Sequence, residues 1–291
     1  MSHDTMINDF TFLSHEKLRD RLYLIRECYL NPENIFNIYV VPGADKTGIF
    51  DTGLGVTSGL RSYIERNITA GPKPMHAYMT HVDLDHSGGA ILFDEACMNE
   101  RELPKLAWNL NVKRRLSDLG VFCKNNREVL QYCEEHYLHN EGIAFQNIDD
   151  GDLIDLGGVK FEVIKLPGHT PGSLVYYNRA ENYVLGGDAI QLHNTCQRCR
   201  DLKESVFYYE RFIKRMPEDV IIYTGHERSH LTLAAARDIR NGMQEILAGR
   251  TEEDTPSGMP FPCIDPEELD YDVKEHKCGQ VSVIYDANTL K

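Results

Sequence analysis

The sequence has no run of about 18 or more apolar residues, so no membrane-spanning helix is expected. Its N-terminus, Met1-Ser2-His3-Asp4, lacks a basic stretch followed by an apolar one. No secretory signal is therefore expected, and a cytoplasmic protein is the default reading. Positive charge is also scarce: 31 Lys and Arg face 45 Asp and Glu, a net charge of −14. That balance argues against a nucleic-acid surface, which needs clustered cations, and makes long polyanions poor substrates. Eight cysteines are present, but without a secretory signal they read as thiols in a reducing compartment. Cys196-Gln197-Arg198-Cys199 is a C-x-x-C with no second C-x-x-C and no thioredoxin-like context. Two ordinary loop thiols are expected there rather than a redox pair or half a zinc site. No internal repeat stands out. What remains is a chain of 291 residues, 42% hydrophobic, enough for a large single domain with a well-buried core.

The densest chemistry lies in Thr80-His81-Val82-Asp83-Leu84-Asp85-His86-Ser87-Gly88-Gly89. Two imidazoles and two carboxylates fall between His81 and His86, after the strand-like run Met75–Thr80 and before a helix expected from near Ser87. His81, Asp83 and Asp85 are two apart, so an extended segment turns them to one side, with His86 pointing elsewhere. Mixed nitrogen and oxygen donors of this kind suit zinc, iron or manganese, and so many in so short a stretch suit a pair of adjacent ions.

The segment resembles the second motif of the metallo-β-lactamase superfamily, His-x-His-x-Asp-His, with Asp83 in place of the middle His. Four further motifs match in order: Phe50-Asp51-Thr52-Gly53, Pro167-Gly168-His169-Thr170-Pro171-Gly172-Ser173, Gly186-Gly187-Asp188-Ala189 and Thr224-Gly225-His226-Glu227. The resemblance implies an α/β (α+β) fold, a four-layer αβ/βα sandwich of two mixed sheets with outer helices, forming one domain over 1–291. It also implies a ligand set. His81, Asp83 and His169 match the ligands of a first metal ion, and Asp85, His86 and His226 those of a second. Asp188 matches the bridging carboxylate. Asp51 matches a residue that supports the metal loop by hydrogen bonding without being a ligand.

Two divalent ions about 3.5–4 Å apart can activate a shared water as hydroxide and polarise a carbonyl, so the resemblance implies a metal-dependent hydrolase. Its substrate would be a small ester, lactone, thioester or amide. Zinc is the first expectation for the ions, with iron or manganese as alternatives because Asp83 is a harder donor than imidazole. Asp85 is the candidate catalytic proton acceptor, and His193 and Tyr223 are candidates on the substrate side. The alternative is an iron-dependent oxidoreductase of the flavo-diiron-like or sulfur dioxygenase-like type, since flavo-diiron proteins carry Glu where this chain has Asp83. Those proteins need a flavodoxin-like domain, for which the residues after the fifth motif leave no room. A degenerate binding protein is the poorer reading, because the ligand set is full. The expected partner is a small molecule, and the N-terminal segment is the expected contact of any homodimer.

Along the chain, Phe10–Leu13, Phe36–Val41 and Thr47–Phe50 read as strands, and Thr57–Asn67 as a helix with Thr57 or Ser58 as cap. Residues 97–148 read as a helical insertion that shapes the substrate pocket, with a strand at Lys105–Trp108 and helices at Asn111–Leu119 and Asn126–Leu138. Trp108, Tyr132 and Tyr137 are its candidate lining residues; His136 and His139 lack a third donor. A β-rich half follows. It has strands at Leu153–Leu156, Val159–Leu166, Leu174–Tyr177, Tyr183–Leu185, Val220–Thr224 and Gln280–Tyr285, helices at Leu202–Met216 and Leu231–Ala248, and a loop over Thr251–Asp265.

Overall fold

A computed structural model describes residues 7–196, 201–257 and 272–290. The chain divides into two compact units: residues 1–98, 103–147 and 155–159 form the first, and 99–102, 148–154 and 160–291 the second.

The first unit holds strands β1 (Leu13–Lys17), β2 (Tyr23–Glu27), β3 (Phe36–Pro42), β4 (Thr47–Phe50), β5 (Met75–Tyr78), β6 (Glu95–Met98) and β7 (Gln146–Asn147). They form one seven-stranded sheet in sequential order. The first four pair antiparallel, and from β4 onward the pairs are parallel. A parallel pair needs a crossover, and helix α1 (Gly59–Asn67) supplies it between β4 and β5. The short helix α2 (Leu84–Ser87) follows β5, and α3 (Leu103–Asn109), α4 (Val112–Phe122) and α5 (Arg127–Glu135) separate β6 from β7. Central strand β3 is buried almost throughout, as its apolar run predicts. Leu60, Tyr63 and Ile64 of α1 pack with Ile38, Val40, Ile49 and Ala77 of the sheet. Asn111 and Asn126 cap α4 and α5 by accepting N–H bonds from Arg114 and from Glu128 and Val129.

The second unit contains β8 (Leu153–Asp155), β9 (Lys160–Lys165), β10 (Leu174–Asn178), β11 (Tyr183–Leu185), β12 (His193–Thr195), α6 (Leu202–Arg215), β13 (Ile221–Tyr223), β14 (Leu231–Thr232), α7 (Leu233–Leu247), β15 (Thr255–Pro256), β16 (Val273–Cys278) and β17 (Val281–Asp286). One mixed sheet runs β14-β13-β11-β10-β9-β8, and a four-stranded sheet runs β12-β17-β16-β15. Phe212 and Tyr209 of α6 and Ile239 and Met243 of α7 share a core with Leu166, Val184, Ile222 and Val283.

The two mixed sheets and flanking helices agree with the expected fold class; the four-stranded sheet is additional. Its strands β12 and β16 carry polar residues in both alternations and gave no pattern to read. Phe10-Thr11-Phe12 is a turn, because the Asn8 side chain accepts the Phe10 N–H at 2.9 Å and Thr11 Oγ1 accepts that of Asn8; the strand starts at Leu13. Lys105–Trp108 is helical: Pro104 lies in the first turn, where its missing N–H is harmless, and helix formers follow. Ser58 stands at the start of α1, but its hydroxyl goes to Asp9 and not to the helix. Thr255–Pro256, expected in a loop, pairs with β16. Residues 258–265 of that expected loop, like Cys199, lie outside the described residues. No described helix is long and apolar enough to cross a membrane.

Ile38 is fully buried in the first unit's core. Ile38→Ala should lower unfolding stability by about 2–5 kcal/mol, measured by urea titration; a loss under about 1 kcal/mol would contradict the packing described.

Candidate metal centre

Every residue matched to a metal ligand lies beyond a strand end, directly or on the short helix that follows. In the first unit, β4 delivers Asp51 and β5 delivers Thr80-His81. The next residues do not stay extended. Asp83 ends the extended stretch, and its carbonyl accepts the N–H groups of His86 and Ser87 at 2.9 Å, which starts α2. Asp85 and His86 therefore sit on a helical turn. The extended reading of His81, Asp83 and Asp85 fails for this reason, as does the helix expected from Ser87. Instead of pointing elsewhere, the His86 ring lies 4.1 Å from that of His81.

Buried Asp51 orders this cluster. Its Oδ1 accepts the Thr80 N–H at 2.7 Å, and its Oδ2 accepts the Thr80 hydroxyl at 2.8 Å and His86 Nδ1 at 2.8 Å. A carboxylate accepts only, so the His86 proton sits on Nδ1. The Thr80 hydroxyl, donating to Asp51, accepts from His81 Nδ1 at 3.0 Å, and that proton is placed too. Both imidazoles then present an Nε2 lone pair. His81 Nε2 is 3.6 Å from Asp83 Oδ2, and His86 Nε2 is 3.7 Å from Asp85 Oδ2.

The second unit repeats the device. His169 follows β9 in a tight loop closed by Thr170 and Ser173, whose hydroxyls lie 2.7 Å apart. Its Nδ1 is 2.8 Å from the Thr195 carbonyl, an acceptor only, so Nε2 again carries the lone pair. Buried Glu102 accepts the Gly172 N–H at 2.6 Å, and a Cβ at Gly172 would collide with that carboxylate. Asp188 follows β11, and its Oδ2 lies 3.1 Å from His226 Nε2 and 3.9 Å from His169 Nε2.

Donor atoms 3–4 Å apart have the spacing of ligands around one ion at roughly 2.0–2.2 Å, and histidines held through Nδ1 by an outer acceptor are the usual form of a metal ligand. These imidazole nitrogens and carboxylate oxygens are of the donor types that divalent metals take, and His81, Asp83, Asp85, His86, His169, Asp188 and His226 all belong to groups able to hold one.

A profile described as the metallo-beta-lactamase superfamily matches residues 33–226. The chain belongs to the metallo-beta-lactamase superfamily. The acyl-coenzyme A thioesterase MBLAC2 of Homo sapiens is 30% identical over 188 residues, 61% of this chain and 66% of that protein. This chain thus spans slightly less than two thirds of that relative's length. A hydroxyacylglutathione hydrolase of Bdellovibrio bacteriovorus is 32% identical over 114 residues, 38% of this chain and 44% of that one. Among solved structures, a metallo-beta-lactamase family protein from Thermus thermophilus matches with a TM-score of 0.57 at 20% identity, covering 82% of this chain and 85% of that one. A metallo-beta-lactamase from Pontibacter korlensis gives 0.58 at 15%, covering 80% and 99%. These two likenesses concern the fold.

The remaining candidates are placed as follows. His193 is exposed on β12, and half-buried Tyr223 on β13 stands edge-on to Tyr183 with ring centroids 5.9 Å apart. Trp108 packs under the Arg114 guanidinium, the Tyr132 hydroxyl donates to Asp9 at 2.7 Å, and the Tyr137 hydroxyl accepts from Arg115 at 2.8 Å. His136 and His139 are exposed. Cys196 is a buried thiol whose Sγ–H reaches Asn194 Oδ1.

Sequence reading missed Thr80, the Thr195 carbonyl, Glu102, and a buried polar cluster below the Asp51 loop. In that cluster Glu27 accepts the Leu54 N–H at 2.6 Å and the Tyr29 hydroxyl at 2.9 Å. Burial pushes the Glu27 carboxyl up to about 7, against the opposing pull of those two bonds and of the Arg115 charge. A carboxyl raised in the fold adds stability below its unfolded value near 4.5, and that stability is lost as pH rises through about 7. At about 1.4 kcal/mol per pH unit, wild type should lose roughly 2–3 kcal/mol relative to Glu27→Gln between pH 5 and 8, read from urea unfolding at each pH. A pH-independent difference between the two proteins would show that Glu27 ionises normally.

Proposed function

We propose that this chain is a metal-dependent hydrolase of thioesters that holds two divalent ions. In this reading His81, Asp83 and His169 hold one ion, Asp85, His86 and His226 the other, and Asp188 bridges. The observation that carries the reading is the set of fixed tautomers. Asp51, Thr80 and the Thr195 carbonyl accept hydrogen bonds from the Nδ1–H groups of His86, His81 and His169, and so turn three Nε2 lone pairs towards carboxylates. The names of the acyl-coenzyme A thioesterase and hydroxyacylglutathione hydrolase relatives support the hydrolase class and the thioester substrate.

Bound divalent ions supply Lewis acidity towards a thioester carbonyl and lower the pKa of water. The chain's own residues do the rest. Three carboxylates, Asp83, Asp85 and Asp188, set against four neutral imidazoles leave two divalent ions with a small surplus of positive charge, suited to a developing oxyanion. Asp85, half-buried where Asp83 and His86 are buried, is the ligand placed to accept a proton from solvent. Asp51 keeps His86 in its ligating tautomer.

A second reading rests on Asp83, whose hard oxygen in place of imidazole favours iron and redox chemistry. Metal analysis of protein purified without added metal, together with a visible spectrum, separates the two. About two colourless ions per chain and turnover of acyl thioesters support the hydrolase; iron with visible absorbance and no thioesterase activity overturns it.

Asp188→Ala and His169→Ala should lose metal and activity together with an unchanged circular dichroism spectrum. Full metal content in either would refute the ligand assignment. Asp51→Asn, which places an amide donor opposite His86 Nδ1, should weaken metal binding roughly 10–100-fold in a chelator competition, whereas wild-type affinity would show that the tautomer is set elsewhere.

A further inference from the structure

Arg115 of α4 is the largest fully buried side chain among the described residues. A guanidinium taken out of water is unfavourable unless it is matched by acceptors and charge. Arg115 is matched almost wholly by backbone. It donates to the carbonyls of Leu54 at 2.9 Å, Leu138 at 3.3 Å and Gly88 at 3.4 Å, closely to that of Gly55, and to the Tyr137 hydroxyl. Two of these acceptors belong to the loop after Asp51, one to the end of α2, and two to the segment after α5.

The same three segments are laced to each other. Thr52 donates its N–H and its hydroxyl to the His86 carbonyl at 2.7 and 2.8 Å. The Leu138 N–H donates to Val56 at 2.7 Å, and Asn140 Nδ2 donates to Gly88 at 2.9 Å. Gly55 has φ +55°, and a Cβ there would lie 2.2 Å from the Gly89 amide nitrogen, so the loop and the end of α2 touch backbone to backbone. Leu54 is gripped on both sides, its N–H by Glu27 and its carbonyl by Arg115. An apolar side chain of equal size would fill the space but would bind none of these carbonyls.

We propose that Arg115 is a positioning residue: through the carbonyls of Leu54, Gly55 and Gly88 it holds the segment carrying Asp85 and His86 in its metal-binding shape. The proposal rests on the ligand roles proposed for those two residues. It gives the helices between β6 and β7 a task of their own, since α4 reaches under the loop that carries Asp85 and His86 and braces it.

Arg115→Lys and Arg115→Met test it. Hydrogen exchange of the metal-stripped proteins reads the segment itself, and competition with a chromophoric chelator reads metal affinity. In Arg115→Lys the amides of 52–56 and 86–89 should exchange at least about tenfold faster, with α1 and α6 protected as in wild type, and metal should bind roughly 10–100-fold more weakly. Arg115→Met should show the same pattern more strongly. Wild-type exchange in both segments of a folded variant overturns the proposal. So does uniform acceleration across the chain in both variants, which would make Arg115 an ordinary core residue. His86→Ala separates the two layers of inference. If it loses metal while a loosened Arg115→Lys keeps full affinity, the positioning role fails. If His86→Ala also keeps full affinity, the ligand reading is what has failed.

Discussion

A single carboxylate decides which ring nitrogen of His81 and of His86 carries the proton. Asp51 receives Thr80 and His86 directly and His81 through the Thr80 hydroxyl. Because each partner in this chain has only one remaining choice of donor or acceptor, both imidazoles are left with Nε2 as a base. Asp51 itself sits at φ +60°, a left-handed conformation that few non-glycine residues adopt. Such strain persists only where the surroundings over-determine it, and here three hydrogen bonds to the carboxylate do so. A residue that touches no reacting atom thus sets the chemistry of two that are proposed to hold metal.

The sequence made the strand ends legible because the β-runs stop where the chemistry-bearing residues begin: β4 before Asp51, β9 before His169, β11 before Asp188 and β13 before His226. It misled over His86, whose direction follows from a helical turn of four residues too short for any periodicity to register. Glu102, Glu27 and Arg115 were illegible for a different reason. Charged residues are usually solvated, and nothing local distinguishes a buried one from its exposed neighbours; only long-range contacts reveal that Glu102 seats the Gly172 amide or that Arg115 meets Gly88. The Thr195 carbonyl carries no side-chain signal at all.

Polar burial in the first unit is unusually organised. Glu27, Tyr29 and Arg115 lie in one cluster below the Asp51 loop, with charges of opposite sign and backbone groups taking the remaining bonds. Replacing such a cluster by hydrocarbon can leave stability unchanged or raise it, so the role proposed for Arg115 is to specify one backbone path among several that an apolar core would tolerate. The loop between Asp51 and Thr57, with two glycines at positive φ, is where many paths would otherwise be open.

The hydrogen bond that orients His169 ends on a main-chain oxygen, and a main-chain oxygen cannot be substituted away. It can only be moved, and what holds it is β12, whose parallel partner is β17. The register sets Thr195 opposite Ile284, and the Cys196 N–H donates to the Ile284 carbonyl at 2.6 Å. A strand well past the last matched motif therefore stands behind a histidine near the middle of the chain. Residues 33–226 contain every proposed donor, yet a chain cut after them would carry His169 without the strand that turns its ring, so the superfamily match spans the proposed ligands and not the smallest piece able to present them.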